Sequence, residues 1–527
     1  MTQPPRTIPR LTEAAATHHG DLVAVVDGKT TLTYTELLEA ARAFGAALVA
    51  SGVEPGNRVS IWTFNSVEWI VAVLGLWHAG AVLVPISTRF KGGEAADLLS
   101  RARVRVLVTS SDFLGNDYVA MLRATGAPLP DLEAIVVARG QAPEGTETWA
   151  AFLDRATEEA RAEIERRVAA VRPDDPADIL FTSGTTGVPK GVVHTHRSTL
   201  VVATDWPAMT GLAAGDKYLM VNPYSHMFGL KAGILACVSV GATMLPEPAL
   251  DVDRALRRVA DEKVTCFPST PTLFRSILDH PQRDRYDLSS LKIASIGGAD
   301  IPVELVRRMQ GELPFRVLVS GYGLTEGGTA AATAPDDDPQ TIATTVGRLR
   351  PTFELRLVDR NGHEVPRGQS GEIVLRSASI MREYLDDPAA TAEALSPEGW
   401  LKTGDIGQQS EDGLLKIVGR IKDMFIVGGF NAYPAEIENA LLRQPDVQQV
   451  AVIGVPDERL GEVGMAFIVR RPGSRASADD IIRWSREQMA NYKVPRVVEF
   501  LDEFPLTSTG KVMKEALRER VTAKHRP

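Results

Sequence analysis

The sequence contains very little cysteine and no excess of basic charge. Only two of its 527 residues are cysteines, Cys237 and Cys266, and both lie in apolar segments. Two isolated cysteines do not make a disulfide scaffold or a CxxC metal knuckle, and they favour buried thiols in a reducing compartment. The net charge of −9 lacks the basic footprint that a nucleic-acid partner requires. The composition therefore predicts a globular protein without a nucleic-acid partner.

Long apolar runs are also missing. The most apolar stretch, residues 69–86, is interrupted by two glycines, a histidine and a proline. It falls short of the roughly 18 to 20 apolar residues that a membrane-spanning helix needs. The stretch predicts a buried helix at about 67–79, a strand at 81–86 and no membrane span. Because the N-terminus lacks the long apolar region of a secretory signal, we expect a cytoplasmic protein.

Strand and helix patterns alternate regularly along the chain. Short apolar segments with strand character lie at 58–62, 81–86, 104–109, 135–137, 242–245, 264–268 and 291–296. Helical segments separate them, among them an apolar helix predicted at 232–240. This order favours an α/β fold, in which a large N-terminal domain contains mainly parallel β-sheets flanked by helices.

One segment combines glycines, hydroxyl groups and a lysine at the end of a predicted strand. The apolar residues 179–181 lead into a turn that contains Thr182, Ser183, Gly184, Thr185, Thr186, Gly187 and Lys190. Glycines let the main chain approach a ligand, backbone N–H groups and hydroxyls donate to phosphate oxygens, and lysine adds positive charge. The segment predicts a phosphate-binding loop, although it lacks the G-x-x-x-x-G-K-[ST] spacing of the common P-loop.

A second polar segment follows the strand predicted at 316–319. It reads Ser320-Gly321-Tyr322-Gly323-Leu324-Thr325-Glu326 and brings backbone, hydroxyl and carboxylate groups to the carboxyl end of a strand. This is the usual ligand position in open α/β sheets. The segment is not a dinucleotide-binding fingerprint, because Glu326 stands where the third glycine would be.

These two segments resemble motifs of the adenylate-forming superfamily, which includes acyl-CoA synthetases, aryl-CoA ligases and beetle luciferases. Residues 222–229, 403–405 and 419–423 resemble further motifs in the family's order, so the resemblance spans essentially the whole chain. It implies two half-reactions. A carboxylate first attacks the α-phosphorus of ATP, giving acyl-AMP and pyrophosphate, and the thiol of CoA then takes the acyl group while AMP leaves. The resemblance thus implies an acid-thiol ligase that uses ATP, Mg²⁺ and CoA.

The resemblance also implies roles for residues of the nucleotide site. The loop at 182–190 handles the β- and γ-phosphates, and Thr325 bonds the α-phosphate while Glu326 holds Mg²⁺. Gly298 and Ala299 pack against adenine, Tyr322 stacks on it, and Gly323 belongs to the same ATP site. Asp405 accepts the ribose hydroxyls, and Arg420 contacts the ribose or phosphate. Lys511, in a turn near the C-terminus, is the implied adenylation lysine. The implied catalytic residues are Lys511, Thr325, His226 and Glu326.

His226 lies in an apolar and aromatic turn, where a lone histidine is more often a packed core residue than a functional one. The matching family motif has a histidine beside the acyl carboxylate, and the resemblance implies this role for His226. The implied acyl pocket consists of Tyr224, His226, Met227, Phe228, Leu230 and Gly321. Residues 222–235 contain no acidic side chain to pair with an ammonium group, which disfavours an amino-acid substrate.

The sequence predicts an apolar alicyclic, aromatic or medium-chain carboxylic acid as the substrate. Residues 231–237 and 422–436 resemble those of actinobacterial acyl-CoA ligases that act on the bicyclic propionate remnant of steroid rings. The pocket turn at 224–230 departs from that group. Steroid degradation and fatty acid metabolism are therefore both kept as contexts for the ligase.

The last hundred residues predict a second, smaller α+β domain. The resemblance puts a hinge at Lys422, so that residues 1–421 form the large domain and residues 422–527 the small mobile one. Rotation about this hinge withdraws Lys511 after adenylation and opens a channel for the thiol. The implied CoA channel is lined by Gly428, Gly429, Phe430 and Tyr433.

Other interpretations stay open beside this one. The spacing of His194 and His196 invites a metal site, but no cysteine or acidic cluster accompanies them. The acyl acceptor could be a carrier-protein thiol or an amine instead of CoA. A non-catalytic ATP-binding module is disfavoured, because the sequence has Lys511, Glu326 and Asp405. The predicted partners are small molecules, with no nucleic acid, and a homodimer is left open.

Overall fold

The computed structural model of the chain describes residues 5–182, 189–297, 301–506 and 512–524. The described residues divide into two compact units. The first unit takes in Met1–Gly297, Ile301–Glu354 and Arg376–Leu401, and the second takes in Leu355–Leu375 and Lys402–Pro527. The predicted hinge residue Lys422 lies within the second unit, and the domain boundary at that residue stays a prediction.

The helices are distributed over both units. In chain order they are α1 (Ile8–His19), α2 (Tyr34–Ala50), α3 (Val67–His78), α4 (Gly92–Arg101), α5 (Tyr118–Arg123), α6 (Trp149–Leu153), α7 (Glu158–Ala170), α8 (His196–Thr210), α9 (Met227–Gly229), α10 (Ala236–Val240), α11 (Val252–Glu262), α12 (Pro271–Leu278), α13 (Val303–Glu312), α14 (Pro339–Thr344), α15 (Pro388–Ala394), α16 (Pro434–Leu441), α17 (Ala478–Gln488) and α18 (Lys514–Lys524). A π-helix, Leu230–Leu235, joins α9 to α10, and 3₁₀ turns lie at Arg283–Arg285, Ile421–Asp423 and Asn491–Lys493.

The strands are short and numerous. In chain order they are β1 (Val23–Asp27), β2 (Thr30–Thr33), β3 (Arg58–Trp62), β4 (Val82–Pro85), β5 (Val104–Ser110), β6 (Ala134–Arg139), β7 (Glu147–Thr148), β8 (Pro176–Thr182), β9 (Lys190–Thr195), β10 (Lys217–Met220), β11 (Thr243–Pro246), β12 (Ile293–Ile296), β13 (Val317–Leu324), β14 (Gly328–Ala332), β15 (Arg348–Leu349), β16 (Phe353–Val358), β17 (Ser370–Ser377), β18 (Glu383–Tyr384), β19 (Leu401–Gln409), β20 (Leu415–Arg420), β21 (Phe425–Val427), β22 (Phe430–Ala432), β23 (Val447–Asp457), β24 (Gly461–Arg470) and β25 (Val497–Phe500).

The largest sheet among the described residues belongs to the first unit. Its strand order is β18-β9-β8-β4-β3-β5-β6-β7. The strands from β8 to β7 run parallel to one another, whereas β9 is antiparallel to both β8 and β18. Parallel strands are covered by helices on both faces and are therefore apolar throughout, as in β4, where every residue is buried. The predicted α/β class is confirmed.

The most apolar stretch of the sequence forms α3 and β4, as predicted. Every residue of α3 except Glu68 is buried, because this helix lies inside the first unit. Among the described residues, no helix combines the length and the apolarity needed to cross a lipid bilayer.

The helix predicted at 232–240 has a different form from the one expected. Its first part belongs to the π-helix Leu230–Leu235, and only Ala236–Val240 is α-helical. A π-helix inserts one extra residue into a helical turn, and such insertions are frequent at functional sites. The apolar run predicted a helix here but not its wider turn.

Two smaller sheets complete the first unit, with the orders β10-β11-β1-β2 and β12-β13-β14-β15. The strand predicted at 316–319 is longer than expected, because β13 continues to Leu324 and pairs there with β14. The strand predicted at 264–268 is reduced to isolated bridges from Cys266 to Tyr218 and Ile293. The second polar motif of the sequence therefore lies partly inside β13.

The second unit contains most of the sheet β16-β17-β19-β20 and a further sheet, β22-β21-β24-β23, on which β25 pairs with β24. The strands β23 and β24 form a long antiparallel hairpin in which Val452 faces Ala466. An apolar core that includes Phe425, Ile437 and Ile481 joins this sheet to α16 and α17. The small α+β domain predicted for the C-terminal part is thus confirmed.

Candidate active site

The predicted phosphate loop lies between two antiparallel strands of the large sheet. Thr182 on β8 is the register partner of Lys190 on β9. The loop residues Ser183, Gly184, Thr185, Thr186 and Gly187 lie outside the described residues, so their phosphate contacts stay a prediction. Lys190 is partly buried, and its Nζ lies 4.9 Å from the centroid of the Tyr384 ring. The face of an aromatic ring attracts a cation, so Tyr384 holds the ammonium group at the base of the loop.

Tyr384 also contacts the predicted metal ligand Glu326. The tyrosine lies on β18, where Val192 of β9 is its register partner, and its hydroxyl donates to Glu326 Oε1 at 2.9 Å. Burial first, and then the charge of Glu326, raises the pKa of Tyr384 above its usual value. The phenol therefore stays protonated and remains a donor. No sequence motif marks Tyr384, because only the pairing of β18 with β9 brings it to the site.

The segment predicted to bind adenine and the α-phosphate forms the end of β13 and the turn after it. A bulge between Tyr322 and Gly323 interrupts the pairing with β14, and a bulge redirects the side chains beside it. Glycine is required at 323, because a Cβ atom there would lie 2.7 Å from the Gly328 carbonyl oxygen. The Glu326 carbonyl oxygen accepts a hydrogen bond from the Met381 N–H at 2.7 Å, which anchors the turn.

His226 begins the short helix α9 in the predicted acyl motif, and its side chain is exposed. The Phe228 N–H donates to His226 Nδ1 at 3.2 Å, so the proton of the neutral ring is on Nε2. Nε2 is therefore a donor, which a carboxylate oxygen requires. Met227 and Leu230 are buried, and Phe228 packs edge-on against Trp206 with 5.1 Å between the ring centroids. The motif combines one exposed donor with apolar neighbours.

The turn before this histidine is held by the side chain of Asn65. The Asn65 amide nitrogen donates to the carbonyl oxygens of Met220 and Asn222, both at 2.9 Å, and its oxygen accepts from the Tyr224 N–H at 3.0 Å. The Tyr224 ring is fully buried, with its centroid 5.2 Å from that of Trp69. Tyr224 thus supports the turn from the core, and its predicted contact with the acyl group stays a prediction. No sequence pattern indicated Asn65, which lies 155 positions from Met220.

A buried group of charged and polar side chains lies beside the turn at Thr325. Asp178 on β8 and Lys231 on the π-helix are both fully buried, with 3.1 Å between Asp178 Oδ1 and Lys231 Nζ. Asp178 Oδ2 accepts a hydrogen bond from Thr199 Oγ1 at 2.7 Å. Across the β8–β9 pair Asp178 faces His194, whose Nε2 lies 2.7 Å from the Thr325 carbonyl oxygen. We refer to Asp178, Lys231 and His194 as the buried cluster.

Burial and mutual charge set the protonation of the buried cluster. Burial lowers the pKa of Lys231, although Asp178 opposes this effect. Burial acts to raise the pKa of Asp178, but the charge of Lys231 and then that of His194 bring it below its usual value. Burial first, and Lys231 second, lowers the pKa of His194 to about 4. The distance of 3.1 Å between Lys231 Nζ and Asp178 Oδ1 is that of an ion pair, and at neutral pH His194 beside it is neutral.

A narrow cleft, with room for about one water molecule, lies beside α8 in the first unit. Its lining includes Val202, Trp206, Met209, Ala232, Thr329 and Asp205. Asp205 is the acidic side chain of this lining, and Arg350 binds both of its oxygens, at 2.9 and 3.0 Å. The carboxylate is therefore already paired with a guanidinium group, and the rest of the cleft wall is largely apolar.

In the second unit, the predicted ribose acceptor Asp405 faces Arg420 across β19 and β20. The two residues are register partners, and Arg420 Nε lies 2.9 Å from Asp405 Oδ1. Asp405 is buried, whereas the Arg420 side chain is exposed. The Asp405 N–H donates to Thr403 Oγ1 at 3.1 Å. The structure thus brings together the two residues that the sequence predicted for ribose and phosphate contacts.

The predicted CoA-channel residues form a hairpin turn in the second unit. Gly428 and Gly429 join β21 to β22 with φ angles of 56° and 89°, as a two-residue type I′ turn requires. Phe430 is 61% exposed and stacks on Tyr492 with 5.1 Å between the ring centroids. Tyr433 is the residue that begins α16. The hairpin therefore presents an aromatic surface next to a glycine turn.

Of the remaining predicted site residues, three lie outside the described residues, one lies in a turn and one on a strand. Gly298, Ala299 and Lys511 lie outside the described residues, and their roles stay predictions. Leu506 and Val512, which flank the segment of Lys511, form an antiparallel bridge. Lys422 lies in the 3₁₀ turn Ile421–Asp423, and Gly321 pairs with Ala332 across β13 and β14.

The α/β fold and the glycine-rich strand end beside the β8–β9 pair define the class of the first unit as an α/β enzyme. The second unit, taken by itself, has a buried carboxylate beside an arginine. The AMP-binding enzyme family matches residues 11–385, and its C-terminal domain, the AMP-binding enzyme C-terminal domain, matches residues 436–511. The chain belongs to the AMP-binding enzyme family. The family resemblance predicted from the motifs is thus confirmed.

Known relatives cover the chain from end to end. A protein of Rhodococcus jostii named 3-[(3aS,4S,7aS)-7a-methyl-1,5-dioxo-octahydro-1H-inden-4-yl]propanoyl:CoA ligase is 46% identical over 522 residues, which are 98% of this chain and 99% of that protein. A protein of Mycobacterium tuberculosis with the same name is 45% identical over 515 residues, with 98% and 99% covered. The solved structure of the anthranilate CoA ligase AuaEII in complex with anthranoyl-AMP matches with a TM-score of 0.85 and 27% identity, and 98% of each chain is covered.

Proposed function

We infer that this protein is an ATP-dependent acyl-CoA ligase, which activates a carboxylic acid as acyl-AMP and transfers the acyl group to CoA. The observation that carries the inference is the similarity, over 98% of the chain, to two proteins named as propanoyl:CoA ligases. The β8–β9 pair, the turn at Thr325 and Glu326 and the acyl motif at 224–230, all in the first unit, support it. We place the protein in the cytoplasm, in agreement with the two buried, free thiols Cys237 and Cys266.

The first half-reaction needs no protein nucleophile, because the substrate carboxylate itself attacks phosphorus. The protein has to align the two reactants and stabilise the phosphate charge. In our proposal the Nε2–H of His226 orients the carboxylate, Lys190 and Lys511 offset the charge of the phosphates, and Thr325 bonds the α-phosphate. Tyr384 contacts both Lys190 and the proposed metal ligand Glu326, and so keeps these two side chains at the same end of the site.

Glu326 is the residue that would hold Mg²⁺. This ion usually takes one or two carboxylates from a protein and completes its shell with phosphate oxygens and water. Glu326 is partly exposed, and its Oε1 accepts from Tyr384. No group of three or more metal-binding side chains occurs in the described ranges, which suits an ion held by one carboxylate and the phosphates. When bound, Mg²⁺ would offset the negative charge of the nucleotide.

We propose an alicyclic acid with a propanoate side chain as the substrate. Both relatives are named for a methyl-dioxo-octahydroindenyl propanoyl group, the kind of acid to which the sequence resemblance pointed. The acids near the acyl motif are already paired, Asp205 with Arg350 and Asp178 with Lys231, so they offer no partner for the ammonium group of an amino acid.

For the second half-reaction we propose that the small domain rotates about Lys422, with residues 1–421 and 422–527 as the moving bodies. The rotation would withdraw Lys511 and bring the thiol to the acyl-AMP carbonyl. The carbonyl carbon then bonds to sulfur, and AMP leaves with the electron pair of the broken bond. The channel would be lined by Gly428, Gly429, Phe430 and Tyr433.

The test is pyrophosphate release from ATP and Mg²⁺ over a panel of acids, with and without CoA. The panel should contain a bicyclic dioxo propanoate, aromatic acids, medium-chain fatty acids and amino acids. We expect turnover that rises sharply with CoA for the bicyclic acid. A stoichiometric burst that CoA does not relieve would point to a carrier-protein thiol or an amine as the acceptor. Absence of any burst with every acid would overturn the proposed function.

A further inference from the structure

The His194 side chain links β9 to the turn at Thr325 and Glu326. It lies on β9, four residues after Lys190, and its Nε2 lies 2.7 Å from the Thr325 carbonyl oxygen. A carbonyl oxygen only accepts hydrogen bonds, so Nε2 carries the hydrogen and donates. Nδ1 lies 3.3 Å from Ser198 Oγ and in this tautomer can only accept, in competition with the Thr195 carbonyl oxygen, which lies 3.2 Å from the same hydroxyl. One tautomer of a neutral imidazole therefore satisfies both contacts.

The position of the Thr325 carbonyl group matters because it helps to set the positions of the Thr325 and Glu326 side chains. In the proposed reaction Thr325 bonds the α-phosphate and Glu326 holds the metal. Two neighbouring carbonyl oxygens anchor this turn: that of Thr325 accepts from His194, and that of Glu326 accepts from the Met381 N–H at 2.7 Å. The first anchor is a side chain and can be changed without altering the main chain.

The surroundings of His194 hold its ring in one place. The residue is fully buried. The groups that face it are the Asp178 carboxylate from β8, the Lys231 ammonium from the π-helix, the Ser198 hydroxyl from α8 and the Thr325 carbonyl from the turn. Since Asp178 and Lys231 carry opposite charges 3.1 Å apart, the buried cluster has no net charge when the imidazole is neutral.

Lys231 has a further property that points to a fixed arrangement. It is fully buried with Asp178 as its ion-pair partner, and its Nζ has no partner with hydrogen-bond geometry among the described residues. A buried ammonium group that lacks hydrogen-bond acceptors is costly. It is also placed on a π-helix, a feature frequent at functional sites. Both features fit a cluster that serves the reaction and not only the packing of the core.

We propose that His194 is a positioning residue for adenylation, which fixes the Thr325 carbonyl and thereby sets Thr325 and Glu326 against the α-phosphate. His194 touches neither substrate nor metal and acts through Thr325. The inference rests on the proposed function, because that function supplies the nucleotide on which Thr325 and Glu326 act. Burial first, and then the charge of Lys231, lowers the pKa of His194 and keeps the ring neutral, so that Nδ1 stays an acceptor.

The test compares His194→Gln with His194→Asn. Both substitutions introduce a side-chain amide, but the Gln amide nitrogen reaches the position of Nε2, whereas the shorter Asn amide reaches only that of Nδ1. We expect His194→Asn to slow the pyrophosphate burst by about 10- to 100-fold, since small misplacements of reacting groups have effects of this size. We expect His194→Gln to stay within about 3-fold of the wild type, because it keeps the donor to Thr325.

Two further measurements separate positioning from damage to the fold. The KM values for ATP and acid should change little in His194→Asn, and thioester formation from supplied acyl-AMP and CoA should keep its wild-type rate. Equal burst rates for the Asn and Gln variants would overturn the proposal, as would a parallel loss of both half-reactions in the Asn variant. A wild-type protein that gives no burst with any acid would instead refute the proposed function.

Discussion

In the first unit the turn predicted to handle the nucleotide is anchored by partly buried hydrogen bonds, whereas in the second unit three of the predicted CoA-channel residues lie on an exposed turn. His194 and Tyr384 hold the turn at residues 325–326 with bonds of 2.7 and 2.9 Å. In the second unit, by contrast, the Gly428–Gly429 turn presents Phe430 with 61% of its surface exposed.

This difference has an energetic consequence. A buried polar or charged group costs free energy when its partner is removed, so substitutions around the first site should affect stability and rate together. An exposed aromatic ring on a glycine turn can be truncated with little loss of stability. Substitutions in the second unit should therefore change one chemical step and leave the fold intact.

The largest expected difference between the units is in how much stability each loses at acidic pH. His78, His194 and His196 of the first unit are buried, and burial lowers the pKa of each to about 4. The unfolded chain, with pKa values near 6.5, then binds more protons than the folded chain between pH 6.5 and 4, so stability is lost as the pH falls through this window. Each histidine should lower the free energy of unfolding by about 2 kcal/mol when the pH falls from 7 to 5.

Denaturant unfolding at pH 7 and pH 5, followed by tryptophan fluorescence, measures this effect. Six of the seven tryptophans lie in the first unit, at 62, 69, 77, 149, 206 and 400. The second unit serves as the internal control, because among its described residues the one histidine, His363, is exposed. An unfolding midpoint of the first unit that did not move with pH would contradict the burial of neutral histidines.

A second expected effect is the loss of stability in Lys231→Met. The substitution leaves the Asp178 carboxylate buried without its cation, and breaking a buried ion pair in this way costs about 3–5 kcal/mol. The double variant Lys231→Met, Asp178→Asn removes both charges and should recover most of that loss. Urea unfolding of the three proteins gives the comparison. If the single variant were as stable as the wild type, the pair would not be ionised in the folded protein.

The third expected effect distinguishes the two chemical steps through Lys511 of the second unit. Lys511→Ala should slow the pyrophosphate burst by about 100- to 1000-fold, the usual effect of removing one group that stabilises developing charge. Thioester formation from supplied acyl-AMP should continue. Lys514→Ala is the matched control, because Lys514 is paired with Glu438 at 2.7 Å. Equal losses in both steps for Lys511→Ala would argue against its role in adenylation alone.

The smallest expected effects come from one aromatic residue in each unit. Tyr384→Phe keeps the ring beside Lys190 but removes the hydroxyl that donates to Glu326, and we expect the burst to slow about 10-fold, corresponding to one hydrogen bond to a charged group. Phe430→Ala should leave the burst unchanged and slow only thioester formation, by several-fold. A Phe430→Ala variant with a slower burst would remove the contrast between the units.

Local patterns predicted the elements that depend on neighbouring residues. The α3–β4 unit and the α+β character of the C-terminal part were predicted because apolar periodicity reports which face of a segment is buried. The motif residues Thr325 and Glu326 were identified because their types and spacing match the chemistry of the family. The π-helix was not predicted, since an apolar run does not distinguish its wider turn from that of an α-helix.

The sequence by itself determined the α/β class, the order of the motifs and the residue types that can handle a carboxylate, phosphates and a thiol. Tertiary structure alone decided that His194 meets Thr325, 131 positions away, and that Tyr384 joins Lys190 to Glu326. It also decided that Lys231, within an apolar segment, is an ion-pair partner of Asp178. The physical reason is that strand pairing and burial bring together side chains from distant segments, and these contacts leave no periodic trace along the chain.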